Sequence, residues 1–400
     1  MIKCFVTGDN HFGKPYNGNL SAIKDQLTEA RFMSLEKMVD KANEERCDLF
    51  IVTGDLFEKS NAGYIGNDTI KKVCDILGRF SNTVLVLPGN HDYLNETSTV
   101  WPEFNRCITN KENIIVLDKF EAKSLGTING SKVVIYPAHC QSEHSDTNNL
   151  DWIKNADISN DDTINLGIAH GTLDGLSCDN EGVYFKMTRD ELLGIEGIDA
   201  WFIGHAHVTY PKELTEDTYS DSYRIFNPGT HQQIHIGNGT DGYGFIVEIE
   251  KENGRSVVRA KKFKSGIIRF REITISVHPD SEDSLKNALN AALAPLMPDK
   301  ENTVIRVTVT GSVKKSEYRD FDSIYNAAVE GFIAPYSPDI SGLTEEITEA
   351  RIDEEFGENS FISEFLKSFI NDPDYSPSEN AIKLSMAYQL INGIRNKKQG

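Results

Sequence analysis

The sequence predicts an α/β protein with a layered core, a small second α/β domain and a pair of C-terminal helices. In residues 1–250, short apolar runs rich in β-branched residues alternate with longer stretches of helical periodicity. That pattern is typical of strands buried on both faces between helices. After residue 266 the strands alternate apolar and polar residues around an amphipathic helix, which indicates a separate module. A length of 400 residues fits this division, because it exceeds one ordinary domain.

The first domain is predicted to span residues 1–265. Its strands are expected at residues 2–7, 49–53, 83–87, 133–136, 164–169 and 200–203, with helices at 20–45 and 68–79. Two further strands, at 244–250 and 256–263, are predicted to form an antiparallel hairpin through Glu252-Asn253-Gly254.

The small α/β domain is predicted to span residues 266–335, with strands at 270–278 and 303–310 and helices at 281–294 and 321–328. Residues 336–360 hold eight acidic residues and one Arg, together with Pro338 and Gly342, and are predicted to be an acidic linker. Residues 361–400 are predicted to be a helical tail, with helices at 361–370 and 378–392.

The charge and composition exclude several classes of protein. With 41 basic and 61 acidic residues, the net charge is −20, which disfavours a general polyanion binder because the mean field repels DNA. No apolar stretch approaches the roughly 18 residues of a membrane span, and no signal peptide is apparent, so a cytoplasmic location without membrane association is expected. The six cysteines have no metal-ligand spacing and are expected to be reduced.

Polar residues follow five of the predicted strands at the point where each strand ends. These segments are Gly8-Asp9-Asn10-His11, Gly54-Asp55, Gly89-Asn90-His91-Asp92, His170-Gly171 and Gly204-His205-Ala206-His207. Ligand sites in α/β folds form beyond the carboxyl ends of strands, so the segments are predicted to converge on one site. Asp9 and His11 lie two residues apart in an extended segment and can point to the same side, as can His205 and His207.

Such a cluster of carboxylates and imidazoles points to metal. Buried carboxylates without a counter-charge are costly, and clustered imidazoles lose their protons. Divalent cations resolve both problems, because they bind deprotonated nitrogen and oxygen ligands. The candidate ligands are more than one ion takes when water must also bind, so the sequence predicts a two-metal site with one bridging Asp. Each motif alone is weak, whereas the ordered set DxH, GD, GNHD, AHG and GHxH is specific.

This ordered set resembles the calcineurin-like metallophosphoesterase superfamily. Within it, the opening GDNHFG and the order through GHAH are similar to the DNA-repair nuclease branch, which includes the SbcD exonuclease subunit and the meiotic recombination eleven nuclease. The resemblance is specific over residues 1–210 and rests on architecture beyond them. It implies a layered metallophosphoesterase β-sandwich flanked by helices, a small α/β cap domain and C-terminal helices.

The resemblance also implies a role for each site residue. Asp9, His11 and His207 would hold the first metal, Asn90, His170 and His205 the second, and Asp55 would bridge them. His91 would act as general acid and charge stabiliser over the scissile phosphate, and Asp92 is expected to orient it. Two Mn²⁺ ions are expected, although the ligands would also accept Mg²⁺, Fe or Zn.

Three surfaces beyond the metal site carry predictions about partners. The basic run 255–271 holds seven Arg or Lys and is predicted to bind DNA phosphates; a solvated strand face is the alternative. The candidate DNA-binding residues are Arg259, Lys261, Lys262 and Lys264. The resemblance implies that the C-terminal helices bind an SMC-like ABC ATPase; packing against the small domain is the alternative. A homodimer through the helices near 68–79 and 97–107 is also implied, although the apolar stripe of Val100, Trp101 and Phe104 is thin.

The sequence therefore predicts a metal-dependent DNA exo- and endonuclease acting at DNA ends in double-strand break repair. A phosphodiesterase or phosphatase acting on small nucleotides or phosphoproteins would use the same metal site and stays open as the alternative. A scaffold without catalysis is disfavoured by the complete set of ligands.

Overall fold

The chain divides into two compact units, Met1–Phe270 and Arg271–Gly400. The structure, a computed structural model, describes residues 1–159, 161–176, 182–237, 239–279, 281, 283–370 and 372–397. Among these, no helix is long and apolar enough to cross a membrane. The described cysteines at 4, 47, 74, 107 and 140 are all free thiols, and Cys178 lies outside the described residues.

The first unit contains two sheets. Its strands are β1 (Ile2–Thr7), β2 (Leu49–Val52), β3 (Thr83–Val86), β4 (Ile114–Val116), β5 (Lys123–Ile128), β6 (Ser131–Ala138), β7 (Ile164–His170), β8 (Ala200–Gly204), β9 (Ile225–Phe226), β10 (Tyr243–Glu252) and β11 (Arg255–Lys264). One sheet has the order β11-β10-β1-β2-β3-β4 and the other the order β5-β6-β7-β8-β9. Strands β1 to β4 are parallel to one another, as are β6 to β9, whereas β10 and β11 run antiparallel.

The two sheets pack face to face and helices cover their outer faces. Side chains alternate along β1, so Ile2, Cys4 and Val6 enter the core between the sheets while Phe5 faces the helices. The helices of this unit are α1 (Lys24–Glu44), α2 (Ala62–Ile65), α3 (Asn67–Leu77), α4 (Val100–Cys107), α5 (Asp151–Lys154) and α6 (Arg189–Leu193). This is the layered α/β sandwich that the sequence predicts, and the fold class is confirmed.

The second unit has a three-stranded sheet in the order β12-β13-β14. Its elements are β12 (Arg269–Val277), α7 (Ser284–Leu293), β13 (Thr303–Val313), α8 (Lys315–Arg319), α9 (Phe321–Ala328), β14 (Asp339–Glu345), α10 (Glu349–Phe356), α11 (Phe361–Lys367) and α12 (Pro377–Lys397). Leu285, Leu289, Val307 and Phe321 lie in the core of this unit.

The acidic segment 336–360 is not an unstructured linker, and that prediction is wrong. Within it, β14 pairs in parallel with β13, with Leu343 opposite Gly311 and buried in the core of the unit. Helix α10 follows and buries Ile352 in a small cluster with Leu366 and Leu384 of the last two helices. Backbone pairing at an open sheet edge needs few apolar side chains, so the acidic composition did not prevent a strand.

Candidate metal centre

The loops that follow β1 and β2 lie side by side at the carboxyl end of the sheet. The amide N of Asp9 donates to the Gly54 carbonyl at 3.1 Å, and the amide N of His11 donates to the Asp55 carbonyl at 2.8 Å. Asp9, His11 and Asp55 have φ angles of 49°, 48° and 52°, in the left-handed region that residues other than glycine rarely adopt. This backbone strain is concentrated where the predicted ligands stand, as is common at functional sites.

Gly54 allows the second loop to approach a histidine from the other sheet. A Cβ at Gly54 would lie 2.1 Å from His170 Nδ1, and its φ of +104° is also unfavourable for a side chain. The Nδ1 of His170 lies 2.8 Å from the Thr53 carbonyl, which accepts the hydrogen bond and leaves Nε2 to face the site.

The structure brings the three residues of the first predicted metal group together. Ligand atoms of Asp9, His11 and His207 lie within 4.8 Å of one another. The Nε2 atoms of His11 and His207 face each other at 2.9 Å. Asp9 Oδ2 is buried and has no hydrogen-bond partner among the described residues. Two facing nitrogens and an orphaned carboxylate oxygen fit a divalent cation, which accepts lone pairs from all three.

The second group combines residues from four loops. Asp55, His170 and His205 also offer ligand atoms within 4.8 Å of one another. Asn90 Oδ1 lies 3.0 Å from both His170 Nε2 and His205 Nδ1, so all four predicted side chains meet. Asp55 Oδ2 is 3.3 Å from His170 Nε2 and 3.7 Å from His11 Nε2. The carboxylate of Asp55 therefore lies between the two groups, where a bridging ligand would stand.

Burial and mutual charge both act on the two groups. Against burial, the charge and hydrogen bond of His170 hold the pKa of Asp55 well below its usual value, and the charge of Asp55 raises the pKa of His170 to about 9. Burial raises the pKa of Asp9 to about 8, against the opposing charge of His170. Burial lowers the pKa of His11 and His205 to about 4 and that of His207 well below its usual value, so these three imidazoles are neutral at pH 7. Neutral imidazole and carboxylate are the forms that bind metal, and a bound cation would supply the charge that burial removes.

His91 stands beside both groups without joining either of them. Its amide N donates to Asp55 Oδ1 at 2.8 Å, and its ring lies edge-on to the His11 ring with 4.8 Å between centroids. Its Nδ1 is 3.2 Å from the Glu58 carbonyl. The ring of His91 is half-buried.

The carboxylate of Asp92 bonds backbone N–H groups, among them one in the turn that carries His91, and its role in orienting His91 stays a prediction. Asp92 is fully buried, and its carboxylate accepts from the amide N of Gly89 at 2.6 Å and from that of Phe57 at 2.9 Å. Its carbonyl accepts from the indole N–H of Trp101. Asp92 therefore ties the loop after β3 to the loop after β2.

Three residues that sequence reasoning missed also shape the site. Glu58 Oε2 lies 2.9 Å from His11 Nδ1. Arg31, buried on α1, donates through one guanidinium nitrogen to the carbonyls of Asn10 and His11, at 2.5 and 2.7 Å. The ring of Tyr184 stacks on that of His205, with 5.2 Å between centroids. Glu58 lies three residues after Asp55, but no motif marks Arg31 or Tyr184.

The candidate DNA-binding residues lie on β11, an edge strand of the larger sheet. Arg259 pairs with Glu250 at 3.2 Å, Lys261 with Glu45 at 3.2 Å, and Lys264 with Asp241 at 3.1 Å. The Lys262 ammonium donates to the Lys212 carbonyl at 2.9 Å. These partners favour the alternative of a charged edge strand, which also discourages pairing with another sheet. Phosphate binding by the four residues stays a prediction.

Comparison with known proteins covers the same part of the chain. The sequence model of the family described as calcineurin-like phosphoesterase matches residues 2–209, which include all the predicted ligands. YhaO of Bacillus subtilis (strain 168), described as an uncharacterized metallophosphoesterase, is 26% identical over 251 residues, or 60% of this chain. The match spans 56% of YhaO, so this chain corresponds to a little over half of that relative.

Solved structures with a similar arrangement include a dimetal phosphatase from Danio rerio, at 13% identity and a TM-score of 0.42, covering 66% of this chain and 98% of that one. The purple acid phosphatase PPD1 from yellow lupin (Lupinus luteus) seeds is also 13% identical. Its TM-score is 0.36, and the match covers 65% of this chain and 53% of the phosphatase.

Proposed function

The chain belongs to the calcineurin-like phosphoesterase family. From that premise we propose that it is a metal-dependent phosphoesterase and that it hydrolyses the phosphodiester bonds of DNA at strand ends, in double-strand break repair. When bound, two divalent cations polarise a phosphate and lower the pKa of a water molecule. The mixture of four imidazoles with oxygen ligands suits Mn²⁺, Fe²⁺ or Zn²⁺ better than Mg²⁺, and we propose Mn²⁺.

His91 is proposed to act on the leaving group. Its Nδ1 is bonded to a carbonyl, which accepts, so Nδ1 carries a proton and Nε2 is the atom free to exchange one with substrate. To act as general acid, His91 would carry a second proton on Nε2 and pass it to the leaving oxygen as the P–O bond breaks.

The aromatic stack beside the second metal group is the observation that carries the choice of a nucleic-acid substrate. The half-buried ring of Tyr184 stacks on the ring of His205 with 5.2 Å between centroids, and the exposed ring of His144 lies tilted beside it at 4.9 Å. An aromatic face next to the reaction centre suits a base that adjoins the scissile phosphate, because base–aromatic stacking tolerates any sequence. A phosphorylated protein side chain has no such base to offer.

The test compares substrates and two substitutions. We expect Tyr184→Ala to raise the KM for linear duplex DNA by roughly 5- to 100-fold, since stacking contributes about 1–3 kcal/mol. Hydrolysis of bis(p-nitrophenyl) phosphate with Mn²⁺ should change little. Tyr184→Phe keeps the ring and is the matched control, so its KM should stay near that of the unsubstituted protein. Failure to cut DNA under any Mn²⁺ or Mg²⁺ condition, with brisk cleavage of the small diester, would reject the nuclease proposal.

A phosphodiesterase acting on small nucleotides is the second candidate. The same aromatic stack would accept a nucleotide base, and the net charge of −20 together with the internal pairing on β11 favours a small substrate over a polymer. Cleavage of mononucleotide diesters at a kcat/KM above that for DNA ends would favour this candidate.

We also propose an SMC-like ABC ATPase as a partner of the C-terminal helices. On α12, Leu384 and Tyr388 pack inward, whereas Ile382, Met386, Leu390 and Ile394 are 51–67% exposed at four-residue intervals. That stripe is an apolar face of the kind that docks on a partner helix. The homodimer has less support, because Val100, Trp101 and Phe104 are buried within the first unit.

Acidic substitutions in the exposed apolar stripe of α12 test the partner proposal. Met386→Glu with Leu390→Glu should leave the melting temperature nearly unchanged, since both side chains are about two-thirds exposed, and should abolish association with the co-expressed ATPase. Gln26→Glu adds a charge at an exposed position of α1, in the first unit, and should not affect association. Equal binding by all three proteins would exclude the stripe as the docking face.

A further inference from the structure

Arg31 is a buried cationic side chain that contacts the loop carrying the first predicted ligands. It lies on α1 and is 2% exposed. Its hydrogen-bond partners are neutral oxygens: Nη1 donates to the Asn10 and His11 carbonyls at 2.5 and 2.7 Å, and Nε donates to the Tyr16 hydroxyl at 2.7 Å. Its Nη2 is buried and has no hydrogen-bond partner among the described residues. A charge is costly to bury, so these three bonds compensate for the water that the guanidinium loses.

The two carbonyls that Arg31 binds belong to a strained part of the backbone. The Asn10 carbonyl and the His11 amide N–H form one trans peptide group, in which they point in opposite directions. The N–H donates to the Asp55 carbonyl at 2.8 Å, while the carbonyl accepts from Arg31 on the other side. This peptide is therefore held at both ends, between the loop after β2 and helix α1.

The orientation of this peptide decides where the imidazole of His11 lies. His11 has a φ of 48°, a left-handed conformation that a side-chain-bearing residue keeps only where the surrounding structure imposes it. Turning the peptide over would relieve this φ, but it would take the Asn10 carbonyl away from Arg31 and change the direction of the His11 Cα–Cβ bond. In the present orientation His11 Nε2 lies 2.9 Å from His207 Nε2 and 3.7 Å from Asp55 Oδ2.

We propose that Arg31 is a positioning residue that fixes the peptide between Asn10 and His11 and so holds His11 as a ligand of the first metal group. The proposal rests on the metal centre assigned above and not on the choice of substrate. The helix turn that carries Arg31 is itself fixed, because its carbonyl accepts from His231 Nε2 at 3.0 Å and Ser34 donates to the His231 carbonyl at 2.8 Å. Groups that orient metal ligands from outside the ligand set affect metal affinity strongly.

Two other roles for Arg31 predict different outcomes. If its charge acted mainly by repelling a nearby cation, removing the charge would tighten metal binding. If Arg31 only anchored α1 to the sheet, removing it would lower the stability of the first unit without acting on one metal group more than on the other. The positioning role predicts weaker binding at one group alone.

Mn²⁺ titration followed by calorimetry gives the first test. We expect Arg31→Met, which removes every donor, to weaken one of two resolved Mn²⁺ sites by roughly 10- to 100-fold and to leave the other within about 2-fold. His11→Gln identifies the site that contains His11. Arg31→Lys retains one donor nitrogen, and its affinity at that site should lie between those of Arg31→Met and the unsubstituted protein.

Ser34→Ala is the matched control for this titration. Ser34 is fully buried on the same helix, and its hydroxyl bonds the His231 carbonyl and not the ligand loop. Both Mn²⁺ sites of Ser34→Ala should stay within about 2-fold of the unsubstituted protein. Tighter Mn²⁺ binding by Arg31→Met would overturn the proposal, and so would unchanged affinity or equal weakening of both sites.

Amide hydrogen exchange gives a second test on the metal-free protein. We expect the His11 amide, which bonds the Asp55 carbonyl, to exchange roughly 10- to 100-fold faster in Arg31→Met relative to the amide of Phe5 in the middle of β1. The ratio should fall back in Arg31→Lys, which also serves if Arg31→Met does not fold, and should not change in Ser34→Ala. A parallel increase at both amides would show a general loss of stability and overturn the proposal. Neither measurement uses DNA or a phosphodiester, so failure of the nuclease proposal would leave both results unaffected.

Discussion

Replacing His91 with Ala separates chemistry from metal binding. The backbone N–H of His91, which donates to Asp55 Oδ1 at 2.8 Å, survives the substitution, so the Asp55 carboxylate keeps this hydrogen bond. The imidazole itself has a hydrogen bond to the Glu58 carbonyl and an edge contact with His11, and its ring atoms belong to neither predicted metal group. Both groups should therefore stay assembled when the ring is removed.

The rate of hydrolysis is expected to fall by the factor that a general acid contributes. Proton transfer by a positioned side chain contributes roughly 10²- to 10⁴-fold to the rate, which is about 2.7–5.4 kcal/mol of transition-state stabilisation. We expect kcat on a diester with a poor leaving group to fall by that factor. With p-nitrophenolate, a leaving group that needs little protonation, the loss should be much smaller.

The assay pairs elemental analysis with kinetics on both substrates. Metal content per chain should match that of the unsubstituted protein, and His235→Ala, at an exposed histidine, serves as the control. Loss of both metals from His91→Ala would show that His91 is a metal ligand and would refute its assignment as a residue outside the metal groups. A rate loss that is equal for good and poor leaving groups would refute the acid role alone.

Three further predictions concern the rest of the molecule. Gly54→Ala should abolish metal binding at the second group or prevent folding, because its Cβ would lie 2.1 Å from His170 Nδ1. Circular dichroism with metal analysis distinguishes these two outcomes. A folded variant with normal metal content would contradict the geometry. Burial lowers the pKa of His139 from 6.5 to about 4. Between pH 4 and pH 6.5 this imidazole is therefore protonated in the unfolded chain and neutral in the folded protein. Stability should therefore be full above pH 6.5 and fall by about 3 kcal/mol towards pH 4, and urea unfolding of His139→Gln should show a correspondingly flatter pH dependence. Replacing the four basic residues of β11 with Ala should change the slope of log affinity for DNA against log salt concentration by about one, and not by about four as four phosphate contacts would require, because three of the residues form ion pairs with carboxylates. An unchanged slope would show that the strand does not contact phosphate. The residues replaced are Arg259, Lys261, Lys262 and Lys264.

The sequence by itself determined the layered fold and the types of ligand. Strands such as β2, β7 and β8 are buried at every position, so their composition marks them without reference to partners. Each ligand segment adjoins the end of such a strand, and the carboxyl ends of parallel strands share one edge of a sheet. Local composition therefore placed Asp9 and Asp55 at one end of the larger sheet, whereas His170 ends β7 of the other sheet and reaches Asp55 because the two sheets pack together.

Only the tertiary structure decided which side chains act on one another. Asp92 and His91 are neighbours in sequence, yet Asp92 binds backbone N–H groups of two loops, while Glu58, 33 positions earlier, reaches both His11 and His91. The acidic segment became a strand because β13 offered it an unpaired edge, and the apolar positions of α12 were divided between core and surface by packing against α10 and α11. Composition and periodicity indicate which face of each segment is buried and which is exposed to water. Hydrogen-bond partners depend instead on the distances between segments that are far apart in the chain, and tertiary packing alone sets those distances.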